Sequence, residues 1–558
     1  MCLAQTKDTS NTIPVHINHS KNLYHIQTDS GEYIKFIDEV ILQQGTDILY
    51  CDSAYMNKTT HNFEAFGDVK ITQSDGTEAE SDYLRYVADQ KVAFMHSNVS
   101  LTDKKSKLWC DELTYNLNTK IGVYDKGGRL ESDSTTVTSN TGEYNVPTKE
   151  ATFIGSAIIT DPHYHIISEH LLYNTETKVT QFFAPSVVTS EKMTLHTSSG
   201  SYDSHEGLAD FKNHSSIWNE SQYIEADTLN YDKRTGYGYA YGHVISIDTA
   251  HHSTLFCRHA QYYRRKKILW AVGDPVMQQI NGKDTLYIYA DTFYSSPISR
   301  PKLTAEDTVV KTTPKQNVKT KKGQKNKSPD SGKPFEFQPV LAFNDTTSSV
   351  DTSAPSYFTG YHHVLIFSDS LQGKCDSIVY TLSDSVIRMI YNPIAWAHNS
   401  QITGDTIILK LDSSSMKSIY VPNNAFSVSQ SGPVKANLFD QIQGKKLKGY
   451  FKDNNINKLE VYPDAEAIYY PTDAKGAYIG VNQSKSDTIR AFFENRKLYK
   501  IKLDNENHIT LTPMLKADFG SMRLSRYKWL IDQRPRTKEE LFKPGILTES
   551  LIYNDSKK

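Results

Sequence analysis

Three closely spaced glycines, Gly236, Gly238 and Gly242, first suggest chemistry, because glycine-rich loops can hold phosphate groups. They read GxGxxxG, whereas a dinucleotide-binding loop reads GxGxxG, and no helical apolar pattern follows them. No Ser-His-Asp, GxSxG or P-loop signature is recognisable either. The sequence therefore predicts that the protein is not an enzyme and has no catalytic residues and no cofactor.

Histidines and aspartates form the other sets that could bind a ligand. His163 and His165 share one face of a predicted strand, but no third metal ligand is evident. A row of aspartates recurs along the chain: Asp52, Asp82, Asp111, Asp227 and Asp376. An aspartate at the start of a strand can accept hydrogen bonds from turn amides, so we expect a structural role and no metal site.

Four of the five cysteines, Cys51, Cys110, Cys257 and Cys375, precede an aspartate or arginine at one position of a repeating pattern. Small residues such as Ser81 otherwise fill that position, which favours size over reactivity. Cys51 and Cys110 would lie about 9–10 Å apart by strand spacing, too far for a disulfide.

A tyrosine marks this pattern, and it recurs at spacings of 31, 29, 29, 29, 29, 29 and 31 residues. The row is Tyr55, Tyr86, Tyr115, Tyr144, Tyr173, Tyr202, Tyr231 and Tyr262. An aliphatic residue follows each tyrosine by about 14 positions, often after Gly or Asn. Each unit thus has the pattern of two strands and two turns rich in Asn, Asp, Thr and Gly.

Stacking of such units predicts an all-β fold, an elongated β-jelly roll of two-strand repeats about 29 residues long. Nine units, each adding one rung, would give a length on the order of 40 Å. Near the end of the chain, Thr537 and Glu540 fit a capping box and predict a short C-terminal helix over the last rung.

The predicted organisation has five parts. Residues 1–19 are a remnant signal or disordered N-terminus, with "CLAQ" resembling a signal cleavage site after Ala4; a plain cytosolic start is the alternative. Residues 20–300 form the repeats, 301–357 a disordered Lys-rich insertion, 358–515 the continued roll, and 516–558 a helix and tail. The net charge of −2 gives no reason to expect nucleic acid.

The stretches "CDELTYNLNTKIGVY" and "EAFGDVKITQSDG" resemble the OstA-like proteins of lipopolysaccharide transport, as do "IEADTLNYDKRTGYGYAYGHVISI" and the C-terminal "WLIDQRPRTKEELF". That family includes a periplasmic bridge and the N-terminal domain of the outer-membrane assembly protein, and this chain resembles its larger Bacteroidetes-type members. The resemblance implies a β-jelly roll, or β-taco, whose apolar interior shields the acyl chains of lipopolysaccharide. It also implies a periplasmic location, with association at the outer membrane, and pairing of edge strands with other transport components.

Under this resemblance, the apolar seam should contact the acyl chains of lipid A. The expected lining residues are Val40, Val69, Val99, Ile158, Val187, Ile217, Val244, Val276, Leu84, Leu113, Leu171 and Leu229. Two alternatives remain open: an Rhs-like shell of tyrosine–aspartate repeats, and a β-helix adhesin or polysaccharide-active protein at the cell surface. The steady 29-residue spacing argues against the first, and a polar seam would favour the second.

Overall fold

The computed structural model describes residues 15–542, apart from 30, 282–283, 298–355, 382–383, 413–414, 453–454, 474 and 495–496. The predictions for the signal remnant, for most of the Lys-rich insertion and for the C-terminal tail fall outside these residues. The described chain is almost entirely β-strand, which confirms the predicted all-β class.

Forty-four strands make up the part of the fold that the structure describes. The first fourteen are β1 (Val15–His19), β2 (Asn22–Thr28), β3 (Gly31–Gln44), β4 (Asp47–Asn57), β5 (Phe63–Thr72), β6 (Glu78–Val87), β7 (Val92–Thr102), β8 (Ser106–Asn116), β9 (Ile121–Tyr124), β10 (Gly128–Ser132), β11 (Thr135–Ser139), β12 (Thr141–Asn145), β13 (Glu150–Thr160) and β14 (His165–Asn174). The next fourteen are β15 (Val179–Phe182), β16 (Ser186–Thr189), β17 (Met193–Thr197), β18 (Ser199–Asp203), β19 (Leu208–Lys212), β20 (Ser215–Asn219), β21 (Gln222–Ala226), β22 (Thr228–Asp232), β23 (Tyr237–Asp248), β24 (Ser253–Tyr263), β25 (Ile268–Val272), β26 (Val276–Asn281), β27 (Asp284–Tyr289) and β28 (Thr292–Pro297). The last sixteen are β29 (Ser356–Phe367), β30 (Gln372–Thr381), β31 (Val386–Ile390), β32 (Ile394–Ala397), β33 (Ser400–Thr403), β34 (Thr406–Asp412), β35 (Ser415–Val421), β36 (Ala425–Ser431), β37 (Leu438–Gly444), β38 (Lys446–Lys452), β39 (Asn455–Tyr462), β40 (Ala465–Tyr469), β41 (Gly480–Ser486), β42 (Thr488–Glu494), β43 (Lys497–Asp504) and β44 (His508–Pro513). Single 3-10 turns lie at Val434–Ala436, Met514–Lys516, Ile531–Gln533 and Lys538–Leu541.

The strands form two facing antiparallel sheets that share a bent edge. Long strands such as β5 and β7 run through both sheets. In other units two short strands, such as β9 and β10, take the place of one long strand, with one short strand in each sheet. Sheet A runs from β2 to β43 and sheet B from β1 to β44, each as a continuous ladder. Each 29-residue repeat therefore adds two strands to both sheets. The rise per repeat is therefore about 10 Å. The length of 40 Å expected for nine repeats is about half of what this rise gives.

The bend between the sheets, here called the corner, is made by residues with left-handed backbone. Its members come in consecutive pairs such as Ser97–Asn98 and Gly242–His243, and the ladder skips two residues there, between His96 and Val99 for example. Gly67 has φ of +74°, and a Cβ on it would lie 2.9 Å from Cγ of Asp52. This conformation explains why Gly or Asn precedes the aliphatic residue in the repeat.

The aspartate row lies at the corner, which corrects the expectation that these side chains bind turn amides. Asp82 accepts a hydrogen bond from Nδ2 of Asn98 at 2.7 Å, and the Asp227 carboxylate lies 2.7 Å from Nδ1 of His243. These two carboxylates thus join their own strands to the corner of a neighbouring strand.

The two sheets also have free edges, where the strands end in turns. Edge A carries the turns at 58–62, 88–91, 117–120, 146–149, 175–178, 204–207, 233–236 and 264–267. Edge B carries those at 73–77, 103–105, 133–134, 161–164, 190–192, 220–221 and 249–252. In a typical edge A turn, Oδ1 of Asn116 accepts the amides of Asn118 and Thr119 at 2.9 and 3.0 Å, and Lys120 is left-handed. The Asn or Asp that follows five of the eight tyrosines therefore sets the turn in those units.

The C-terminal segment 517–542, here called the strap, returns along the outer face of sheet B. Met522 packs with Leu438 and Val481, and Phe542 packs with Phe256 and Tyr287. The predicted terminal helix is only the 3-10 turn Lys538–Leu541, and the Thr537 side chain does not cap it. The strap runs away from the last rung because an apolar strip on sheet B lies under it.

Candidate functional site

One apolar core fills the space between the two sheets along the whole described roll. It contains buried residues from Phe36 in β3 to Ala491 in β42, without interruption along the ladder. Strand alternation produces this interior, since every second side chain of each strand points inward. It is the largest uniform chemical feature of the molecule and our candidate site.

Most of the predicted lining residues belong to this core. Buried in it are Val40, Val69, Val99, Val244, Leu84, Leu113, Leu171 and Leu229, and Ile217 packs against it half-buried. Their role in binding lipid stays a prediction, because burial alone does not test it.

Three predicted lining residues lie outside the apolar interior, which corrects their assignment to it. Ile158 and Val187 are half-buried on the outer face, and Ile159 and Val188 take the inward positions beside them. Val276 is buried in the outer cluster with Phe256 and Phe542, under the strap. In the units of Ile158 and Val187 the strand resumes after the corner at Ala157 and Ser186, one position earlier than the 14-residue spacing implies, and a shift of one exchanges the two faces.

The tyrosine row contributes inward side chains that the prediction of the site did not include. Tyr86, Tyr115, Tyr144 and Tyr173 are buried in the core, together with the large side chains of Phe153 and Phe182. The fixed spacing of the tyrosines was the available signal. Tyr55 is half-buried outside the core, where Met56 takes the inward position.

Side chains link the two free edges across the open side of the roll; we call this line of contacts the seam. The Tyr115 hydroxyl donates to Oε1 of Gln73 at 2.6 Å, and the Tyr86 hydroxyl donates to Oε1 of Gln44. The Tyr144 hydroxyl donates to Asp103. Successive tyrosines of the row on edge A therefore donate hydrogen bonds to successive polar residues of edge B.

Lysines repeat the same connection beside the tyrosines. Lys149 Nζ lies 2.7 Å from Oδ2 of Asp103, and Lys178 Nζ lies 2.8 Å from Oδ2 of Asp133. Lys120 pairs in the same way with Asp75. Backbone hydrogen bonds run along each edge, as from Val146 N to Lys120 O at 3.1 Å. Side chains thus carry the cross-links that hold this part of the seam together.

Asp103 is the most buried charged group of the seam. Burial raises the pKa of its carboxyl, but hydrogen bonds from Lys149, Tyr144 and the amides of Lys105 and Ser106 outweigh burial. Its pKa therefore lies below the usual range, and it is ionised in neutral solution. The pKa of Asp75 falls to about 2, against the opposing effect of burial, through bonds from Lys120 and Thr77.

The described residues contain no group of three or more His, Cys, Asp or Glu side chains arranged to hold a metal ion. His165 lies within 3.4 Å of the Thr160 hydroxyl, and His362 and His363 each contact an aspartate at the corner. The cysteines described are unpaired, and burial raises the pKa of Cys257 to about 12, so its thiol is protonated and unreactive at neutral pH. Within the described ranges, no helix has the length and apolar character needed to cross a membrane.

Comparison with known proteins gives a family match over part of the chain. Residues 13–169 match the model of the OstA-like protein family, which confirms the resemblance seen in the sequence. The match falls on the first repeats and covers less than half of the chain.

A structural comparison pairs the chain with the crystal structure of LptH from Pseudomonas aeruginosa, described as the LptA-homologous periplasmic component of the lipopolysaccharide transport device. The sequence identity is 18%, and the match covers 19% of this chain and 80% of that one, with a TM-score of 0.18. Such a low score adds nothing to the argument on the fold. No curated protein matches the chain.

Proposed function

We propose that this protein is a periplasmic carrier that shields the acyl chains of lipopolysaccharide inside its roll and helps to move the lipid towards the outer membrane. The observation that carries the proposal is the single apolar core between two sheets, which runs the length of the roll behind a seam of side-chain contacts. Burying one CH₂ group is worth about 0.8 kcal/mol, so several acyl chains bind strongly without any specific polar contact.

The OstA-like match over residues 13–169 supports this proposal, because the resemblance to that family implies a lipopolysaccharide carrier. The interior is also apolar from end to end, which a carrier of sugars alone does not need. We therefore favour a lipid carrier over an adhesin or a polysaccharide-active protein.

The outermost strands of the described roll suit contact with other transport components. At one end Leu23 and Tyr24 of β2 are exposed, and at the other Ile509 and Leu511 of β44 are exposed. Outer strands carry unpaired backbone groups that a neighbouring strand can bind. We propose that another component extends the sheets at one or both of these ends.

Photo-crosslinking in cells tests the carrier proposal. A photoreactive residue is placed at the inward positions Val99 and Val244, and at the outward positions Ile158 and Val187 as matched controls in similar strands. A further control lies at the exposed Asn118, on an edge A turn beside the closed part of the roll.

Lipopolysaccharide adducts at the inward pair, with few at the outward pair or at Asn118, are the expected result. Equal labelling of inward and outward positions would indicate surface association and contradict the shielding of acyl chains. The absence of adducts at every position, in a folded and exported protein, would contradict the proposed transport function.

A further inference from the structure

The tyrosine row changes its environment along the roll. Tyr86, Tyr115, Tyr144 and Tyr173 are 3%, 0%, 1% and 0% exposed. Tyr202 and Tyr231 are only half-buried against the core, and Tyr262 is 40% exposed. Tyr202 still contacts the ring of Tyr164 on edge B, with ring centroids 6.5 Å apart, so the seam is closed up to Tyr202 and opens between Tyr202 and Tyr262.

The exposed tyrosines still face the interior side of sheet A. Tyr231 and Tyr262 both pair with Gly238, and Tyr262 pairs with Leu269, which packs against the core. Ala260, two residues before Tyr262 on β24, is buried in the core on the same face. The opening thus leads from solvent, past phenol rings, to the apolar interior.

The hydroxyl bonds across the seam end before Tyr173. Its hydroxyl is buried, and no hydrogen-bond partner reaches it, whereas the three preceding tyrosines all bond to edge B. Beyond it, the Tyr231 hydroxyl accepts a hydrogen bond from Nη1 of Arg264 at 3.4 Å, a residue of the same edge. Tyr231 therefore takes its partner on its own edge, unlike the tyrosines that link the two edges in the closed part.

Basic turns flank the opening. The edge A turn "RRKK" places Arg264 and Arg265 in solvent, next to the turn that carries Lys233 and Arg234. Arg234 is paired with Glu206 at 2.9 Å and with Asp232 at 3.5 Å. The hydrogen bonds of Arg264 and Arg265 go to neutral oxygens, the Tyr231 hydroxyl and the Arg234 carbonyl, which do not compensate their charge.

The acidic groups nearby are already engaged on the opposite edge. Glu220, in the edge B turn across the roll, lies 2.9 Å from Nζ of Lys192. The guanidinium groups of Arg264 and Arg265 therefore offer planar donors suited to a phosphate.

We propose that the opening between Tyr202 and Tyr262 is the site where an amphiphile with an anionic, phosphate-bearing headgroup enters, with its chains in the core and its headgroup on Arg264 and Arg265. This site rests on the proposed carrier function and adds the place and the headgroup chemistry. Phenol rings suit the boundary, since each has an apolar body and a polar tip.

Equilibrium binding to the purified full chain tests the site. The probes are fluorescent diphosphoryl lipid A and the neutral amphiphile dodecyl maltoside. The variant R264E/R265E reverses the charge at the opening, R264K/R265K keeps it, and K104E/K105E reverses two exposed charges on an edge B turn beside the closed seam. Thermal unfolding confirms that each variant is folded.

We expect R264E/R265E to bind lipid A at least tenfold more weakly and dodecyl maltoside as before, with the other two variants close to the parent chain. Lipid A binding that is equal in R264E/R265E and K104E/K105E would overturn the headgroup site and leave the carrier function intact. A parent chain that binds neither probe would overturn both.

Discussion

Buried hydroxyls and carboxylates decide how firmly the roll is closed. The Tyr115 hydroxyl and the Gln73 amide bond each other in a buried position, and Asp103 collects bonds from Tyr144, Lys149 and two backbone amides. A buried polar group costs free energy when its partner is lost, so each contact holds the seam shut. The contacts recur because the 29-residue repeat returns the same residue types to the same place.

Removing the hydroxyl should have different effects on stability at two tyrosines of the row. Tyr115→Phe leaves the buried Oε1 of Gln73 without its donor and should lower the free energy of unfolding by about 1–2 kcal/mol. Tyr173→Phe removes a hydroxyl that has no partner and should be neutral or slightly stabilising. Urea unfolding of both variants measures the difference. Equal destabilisation would show that the Tyr115 bond contributes nothing.

The Asp103 carboxylate predicts a stability that depends on pH. Its pKa in the folded chain lies below the unfolded value of about 3.9, so its stabilisation is complete above that value and is lost as pH falls through the folded pKa. We expect Asp103→Asn to cost about 2 kcal/mol at pH 7, and the difference from the parent chain to shrink below pH 4.

Urea unfolding at pH 7 and in stepwise acid tests the prediction for Asp103. Asp111→Asn, on the exposed face of a neighbouring strand, is the control and should stay within about 0.5 kcal/mol at both pH values. A cost of Asp103→Asn that does not change with pH would contradict the assigned charge.

Among the elements, the strap has the most specific attachment. Gln401 donates from Nε2 to Lys528 O at 2.8 Å and accepts Leu530 N at 2.7 Å. Gln441 holds Met522 O and Leu524 N at 3.1 and 2.9 Å in the same way. Each glutamine amide thus forms with the strap backbone the two hydrogen bonds that a neighbouring strand would otherwise form.

These clamps predict how the strap exchanges with solvent. The double variant Q401A/Q441A should speed hydrogen exchange in peptides covering 520–532 by about tenfold, because both two-point contacts are lost. Gln279→Ala is the control, since that buried amide bonds His251 O and lies away from the strap. Hydrogen–deuterium exchange with mass spectrometry measures the rates. Unchanged exchange in the double variant would show that apolar packing alone retains the strap.

At the scale of the whole molecule, the repeat produces length. Roughly 28 strands stack in each sheet at about 4.8 Å each, which gives a roll on the order of 130 Å long. The paired ends of β28 and β29, Pro297 and Ser356, place both ends of the Lys-rich stretch at edge A, so the ladder continues across it.

Such a length predicts the solution dimensions. Small-angle X-ray scattering should give a radius of gyration on the order of 38 Å, against about 24 Å for a compact domain of this chain length. A compact globular protein of similar mass provides the control. A value near the compact one would contradict the continuous stack.

The register of the tyrosines determined, from sequence alone, the all-β class, the two-strand repeat and most of the inward residues. These features are local and periodic: turn residues follow each tyrosine, and strand alternation decides which side chains share a face. The same periodicity placed Val99, Leu113 and Val244 in the core.

Only the tertiary structure decided the faces of Ile158, Val187 and Val276. The residue at which each strand resumes after the corner decides which side chains point inward, and in the units of Ile158 and Val187 it lies one position earlier than the 14-residue spacing implies. The path of the strap and the contacts of the seam also join residues far apart in sequence, such as Gln401 with Leu530 and Gln73 with Tyr115. Their partners are set by how the sheets stack and face each other, because the sequence gives the type of each residue but not which distant residue it contacts.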